Sequence, residues 1–371
     1  VHSSGVYVTG GVSRALPGQT HHGENDAFVR KYDLAGKHLW TRQFGTGGHD
    51  EGMGVAVNNA GVYVVGYVGD ALPGQTHQGL RDVFVRKYDH AGKHRWTRQF
   101  GTSGWDAGFV VAVDASAVFV VGSVGGALPG QTHHGQDDVF VRKYDHAGKH
   151  RWTRQFGTSG WDGGQAVAVN SSGVYVAGNV GGALPGQAHQ AGFDVFVRKY
   201  DHAGKHRWTR QFGCSDWDAG RGVAVDSSGV YVAGNVGGAL PGQTHQAGFD
   251  VFVRKYDHAG KHRWTRQFGT AGADAGWKVA VNASGVYVAG HVEGALPGYT
   301  HQGGYDVFVR KYDQAGKRHW TRQFGTAGAD AGRGVAVNAS AVYVVGYVSG
   351  ALPGQTHHGK EDVFLRRYST K

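Results

Sequence analysis

Asp138-Val-Phe-Val-Arg-Lys-Tyr-Asp-His-Ala-Gly-Lys-His-Arg-Trp-Thr-Arg-Gln-Phe-Gly157 recurs almost letter for letter along the chain. The Leu-Pro-Gly ahead of each copy places proline at Pro17, Pro73, Pro129, Pro185, Pro241, Pro297 and Pro353, an unbroken interval of 56 residues. Self-similarity at a fixed period of this length marks a propeller, a solenoid or an array, and it outranks any local reading. Inside the stretch, Val139 to Tyr144 and Arg151 to Phe156 flank the tight turn Asp145-His-Ala-Gly148, which predicts an antiparallel hairpin.

Upstream, Val110-Val-Ala-Val113 is short, small and apolar, as expected of a strand buried on both faces. Asp114-Ala-Ser-Ala117 is a turn with an Asx signal, and Val118 to Gly122 is a second, β-branched strand. A long connection, Ser123 to Asp137, carries Pro129-Gly130; Gly157 to Gly164 leads into the next period. Four antiparallel strands per 56 residues predict the blade of a β-propeller. Second and third strands occur seven times, but first strands and tryptophan-bearing fourth strands only six times. Val1 aligns with the last residue of an absent first strand. The expected fold is therefore all-β, a seven-bladed propeller of four-stranded blades in one domain, 1–371, with incomplete terminal blades. Blade 1 (about 1–45) lacks its inner strand, blades 2–6 span about 46–325, and blade 7 (about 326–371) lacks its outer strand. Open strand edges invite a protein partner or self-association, unless flanking sequence fills them.

Composition agrees. Hydrophobic residues are 40% of the chain and charged residues 18%, which suits a packed core rather than disorder. No run of ten or more residues is amphipathic at helical spacing, and the 65 glycines follow no collagen period. The net charge of +10 comes mainly from Arg142, Lys143, Lys149, Arg151, Arg154 and their equivalents. Charge spread periodically is neither patch nor tail, which argues against nucleic acid as a partner. Strand alternation puts Phe140, Arg142 and Tyr144 on one face and Trp152, Arg154 and Phe156 on another. Each arginine is expected between aromatics, paired with a repeated aspartate such as Asp138 or Asp145; an exposed set at the rim would restore nucleic acid or an anionic polysaccharide. Cys214, the single cysteine, stands where sister copies have Thr102 or Thr158, with no disulfide or CxxC pattern possible. No signal peptide or membrane-spanning run is present, so no membrane insertion is expected.

The run GVAVDSSGVYVAG…ALPGQTHQAGFDVFVRKYDHAGKHRWTRQFGT (222–270) resembles the bacterial SBBP (seven-bladed β-propeller) repeat family, and in the order GVAVD, VYVAG, KYD, W…G it is similar to NHL repeats. The resemblance covers essentially the whole chain. It implies blades running from a central channel to the rim, and an extracellular or cell-surface location.

Candidate sites lie in the loops. Trp105-Asp106, Trp161-Asp162 and Trp217-Asp218 set an indole beside a carboxylate on the glycine-rich blade-crossing loop. Such a pair suits a glycan: the ring stacks on the sugar and the carboxylate bonds its hydroxyls. Because Asp50, Asp274 and Asp330 persist where the tryptophan is absent, a structural role for the aspartate is the competing reading. His77, His133 and His189 belong to a ring of equivalent histidines (His21, His245, His301 and His357 complete it). Histidine pairs bind zinc or copper, but glutamine replaces the second member in most copies. Loop hydrogen bonding is the expected role, with no metal or cofactor. His90, His146 and their equivalents flank the opposite tight turns, where surface positions are expected. The copies differ chiefly at Met53, Phe109, Gln165, Arg221, Trp277 and Arg333, at Tyr67, Ser123, Asn179, Asn235, His291 and Tyr347, and in the pairs ahead of the third strand, Glu24-Asn25 to Lys360-Glu361. No nucleophile elbow, phosphate loop or blade-specific carboxylate pair is present. The sequence thus points to a non-enzymatic scaffold or adhesion module, with a multivalent lectin-like propeller as the alternative.

Overall fold

A computed structural model describes residues 2–371; Val1, and the alignment drawn for it, lie outside the described residues. The chain forms two compact units, residues 2–169 with Asp201–Lys205, and Asn170–Tyr200 with His206–Lys371. The fold is a seven-bladed β-propeller of antiparallel sheets, with three-stranded first and last blades. Blade 1 holds Val6–Val12, Asp26–Tyr32 and His38–Phe44, without a first strand; blade 7 holds Ala331–Val337, Ala341–Val348 and Asp362–Ser369, without a fourth. Among the described residues no helix is long and apolar enough to cross a membrane.

Blade 3, in the first unit, shows the pattern. Its strands are Asp106–Val113, Ala117–Val124, Asp138–Asp145 and His150–Phe156, each pairing with the next. Valine and aromatic residues favour the pleated, packed surface that such strands offer. Val118, Val120 and Phe140 are fully buried, and they close on Tyr63, Val65, Val83 and Phe100 of blade 2. Each such side chain withdrawn from water contributes ~1.5–3 kcal/mol before entropy is counted. Equivalent clusters fill the second unit, where Tyr231, Val251 and Trp264 meet Val286, Val288, Phe308 and Tyr312.

The first strand starts four residues before the expected Val110, because its ladder continues through a bulge at Phe109. That bulge brings the backbone of Ala107 so close to the second strand that a Cβ at Gly122 would run into its carbonyl oxygen, and the same holds at Gly66, Gly234, Gly290 and Gly346.

The basic residues of the outer hairpin bind neighbouring blades. Arg142 lies 4.0 Å from the Phe100 ring and 5.7 Å from Tyr144, as alternation predicts. Its expected partner Asp138 is not paired with it: that carboxylate accepts from Gln155 Nε2 at 2.9 Å and the His134 amide at 3.1 Å. Trp96 Nε1 and Lys87 Nζ both donate to the His146 carbonyl, at 3.1 and 2.7 Å, and Arg98 Nε donates to Gly148 O at 2.8 Å. His146 is not mere surface decoration either; its Nδ1 hydrogen-bonds Tyr63 OH of the preceding blade at 2.7 Å. The exposed Arg95, Arg151 and Arg263 pair with Asp89, Asp145 and Asp257 at 2.7–2.8 Å.

Candidate functional site

Two structural devices present side chains at the loop ends of the blades. The first is the bulge. The ladder between first and second strands shifts at Gly52/Gly54, Gly108/Val110, Gly220/Gly222, Gly276/Lys278 and Gly332/Gly334. The residues squeezed out are Met53, Phe109, Arg221, Trp277 and Arg333. A bulge leaves its extra residue unpaired and re-aims the side chain. These are positions at which the copies differ, so variable groups ride on a constant backbone feature.

The second device is the blade-crossing loop. Here the residue ahead of a third strand forms a parallel bridge to the residue ahead of the next first strand: Asn25 to His49, Arg81 to Trp105, Asp137 to Trp161, Phe193 to Trp217 and Phe249 to Ala273. Trp105, Trp161 and Trp217 are 54%, 58% and 57% exposed, and so present open indole surface. Each sits against its bridge partner. The Arg81 guanidinium lies 4.3 Å from the Trp105 ring and 4.4 Å from Tyr67, whose hydroxyl donates to Glu51 at 2.8 Å. Phe193 stacks on Trp217 with centroids 5.2 Å apart.

The neighbouring aspartates take the structural role. Asp106, Asp162 and Asp218 are buried. Asp106 accepts the Thr102 amide and Oγ1 (the latter at 2.9 Å) and the Gly125 amide at 3.0 Å. Asp162 binds the Thr158 amide and hydroxyl. Asp218 accepts from the Cys214 amide and Sγ and the Gly237 amide. Burial pushes the Asp106 carboxyl up to about 6 and raises that of Asp218, against the pull of these donors. Carboxylates so enclosed do not reach sugar hydroxyls. They close the loop on which the indole is displayed.

The histidines are half-buried. His189 Nδ1 is 3.2 Å from Asp194 and His133 Nε2 donates to Gln136 O at 3.2 Å, both within their own loops, whereas His77 Nδ1, 3.6 Å from Asp82, is buried without a hydrogen-bond partner among the described residues. Among the described residues no group of three or more His, Cys, Asp or Glu side chains is gathered as a metal would need.

No protein-family profile matches the chain. A curated relative is the regulatory protein FlaEY of Caulobacter vibrioides, 30% identical over 277 residues, covering 64% of this chain and 29% of FlaEY. The chain thus spans less than a third of that relative. Among solved structures, a candidate 6-phosphogluconolactonase from Bacteroides uniformis superposes over 98% of this chain and 99% of its own, with a TM-score of 0.51 and 10% identity. A second, from Bacteroides fragilis, covers 91% and 87% at a TM-score of 0.46 and 12% identity. At such identity the first likeness shows the propeller fold alone.

Proposed function

We propose that this chain is a non-enzymatic scaffold or adhesion module, working at the bacterial cell surface, that holds partners through the blade-crossing loops bearing Trp105, Trp161 and Trp217. The observation that carries the reading is the division of labour in those loops. The carboxylates that could do chemistry are engaged in closing them, while three equivalent indoles stay more than half exposed. Exposed aromatics anchor binding surfaces well because they bury large area for little lost freedom. The surface location rests on the resemblance of the repeat to the SBBP family. A relative named for regulation accords with a chain that acts by holding partners rather than by turning over a substrate.

A lectin-like role is the second reading, favoured by the open indole faces. With the aspartates turned inward, a sugar would be held by stacking, with hydrogen bonds from other groups. The test compares the chain with a Trp105→Ala/Trp161→Ala/Trp217→Ala variant on intact bacterial envelopes and on a glycan array. Envelope binding that is lost in the variant supports the scaffold reading, and sugar binding lost in the same way supports the lectin. Binding by neither, or binding indifferent to the indoles, removes both.

A further inference from the structure

Three consecutive bulges of the second unit gather a cluster that the scaffold reading does not use. Trp277, squeezed out of the ladder in blade 6, meets Arg221 from the blade before and Arg333 from the blade after. Their guanidinium carbons lie 4.2 and 3.8 Å from its ring. Trp277 Nε1 donates to His291 Nδ1 at 2.9 Å, and the His291 ring sits 4.5 Å from that of Tyr305. Lys278, the residue after the bulge, sends Nζ back to the carbonyl of Arg221 at 3.3 Å. Arg221 Nε is held by Asn235 Oδ1 at 2.7 Å, and Arg333 Nη2 makes only a long contact, 3.5 Å, with Tyr347 OH.

The charge balance is what calls for an explanation. Arg221, Lys278 and Arg333 bring three cations together, and among the described residues no carboxylate forms an ion pair with any of them. Arg221 and Lys278 are half-buried, and His291 beside them cannot compensate, since imidazole carries no negative charge. A cation withdrawn from water is costly unless an anion or full hydrogen bonding answers it. Stacking on the indole returns only part of that. It also holds both guanidiniums against the ring, while the only side-chain hydrogen bonds to them among the described residues are Asn235 on Arg221 Nε and the long contact of Tyr347 on Arg333 Nη2. Elsewhere the same bulge carries neutral Met53 and Phe109. The stacked arginine of the first unit, Arg81, has an acid at hand, with Tyr67 lying between it and Glu51. Guanidinium forks match the geometry of a carboxylate or phosphate group.

We propose that Arg221, Arg333 and Lys278, arranged around the Trp277 indole, form a binding site for an oxyanion, a carboxylate or phosphate group carried by a small ligand. The anion completes the hydrogen bonding of the two forks and neutralises the cluster. The indole acts as the spacer that keeps the forks in place, since its faces are already occupied by the arginines.

The probes are inorganic phosphate and citrate, with glucose as the neutral control, titrated calorimetrically into the whole chain in low-chloride buffer. Saturable binding of one or both anions, with glucose silent, is expected. The Arg221→Gln/Arg333→Gln variant should weaken it by about tenfold or more, a loss of about 1.4 kcal/mol or more. The variant Arg95→Gln/Arg263→Gln removes the same charge from surface pairs and should bind like the parent. Tighter phosphate identifies a phosphate-bearing ligand; tighter citrate identifies a carboxylate. Should the double variant unfold by circular dichroism, Arg333→Gln alone, at an exposed position, carries the test with a severalfold loss. No saturable binding of either anion, or an equal loss in the surface control, overturns the site.

Discussion

Cys214 is an unplanned substitution experiment. In sister loops the threonine hydroxyl does two things: Thr102 Oγ1 donates to Asp106 at 2.9 Å and accepts the Gly104 amide at 3.2 Å. Cys214 Sγ keeps the first contact, to Asp218 at 2.9 Å, and burial, with Asp218 beside it, pushes the thiol up to about 12, so it stays protonated. A thiol is the weaker donor and acceptor. Cys214→Thr should therefore stabilise the chain by about 0.5–1.5 kcal/mol, seen as a higher urea midpoint at unchanged slope; an unchanged or lower midpoint would show that sulfur serves this loop as well as oxygen. His291 supplies the pH-dependent counterpart. Burial, then Arg333 and Arg221, push it down to about 4, with Tyr305 the other ionisable group against its ring. The unfolded chain titrates near the ordinary value of 6.5, so it takes up protons before the folded chain does. The stabilisation contributed by neutral His291 is complete above pH 6.5 and is lost as pH falls toward 4, up to roughly 3 kcal/mol. His291→Asn, the residue of two sister blades, should flatten that part of the thermal-midpoint profile between pH 7 and 4.5. Parallel profiles for parent and variant would mean that the imidazole titrates as in water.

At the scale of elements, the outer hairpin is a latch between neighbouring blades. Trp96, Lys87 and Arg98 all donate to carbonyls of the next tight turn, and Gly148 of that turn lies flat on the Trp96 ring at φ +81°. A Cβ on Gly148 would sit 2.8 Å from the indole. Gly148→Ala combines left-handed strain with a steric clash, and should cost about 2–3 kcal/mol, read from chemical denaturation; a cost below about 0.5 kcal/mol would show that the latch yields. This hairpin was the most legible part of the chain, because its alternation and turn residues repeat in six copies with only Leu34 and Gln314 departing from histidine in the turn. The bulge was not legible. It interrupts the period-two pattern that strands are recognised by, so the first strand reads as starting at Val110 although it starts at Asp106. The differences between copies did mark Arg221, Trp277 and Arg333, yet only the backbone geometry brings them to one indole. The aspartates after Trp105, Trp161 and Trp217 were legible as structural from their persistence at Asp274 and Asp330. A single Trp-Asp pair would have suggested a sugar site whole.

At the scale of the molecule, the third strand of blade 7, Asp362–Ser369, is not flanked among the described residues by the fourth strand that pairs with its equivalents in blades 1–6. In blade 6 the equivalents Val307 and Val309 are fully buried against Val342 and Val344 of blade 7, whereas Val363 and Leu365 are 79% and 53% exposed. The loss reaches inward. Trp320 Nε1 and Tyr368 OH are buried without a hydrogen-bond partner, although the indole nitrogen of Trp96 finds a carbonyl in the next blade. An apolar edge with open backbone groups is a template for another strand, and the chain contains six copies of a strand that fits such an edge, Trp40 to Trp320. Association of this chain with itself at that edge is therefore expected to rise with concentration. Light scattering over roughly 1–100 μM, the range in which weak contacts form, should show the mean mass climbing. Val363→Lys/Leu365→Lys places charge along the edge, the device by which natural sheets block such pairing, and should hold the chain at monomer mass without lowering its thermal midpoint, since both side chains are already in solvent. A parent that stays monomeric throughout, or a variant that associates equally, would place any self-association elsewhere on the molecule.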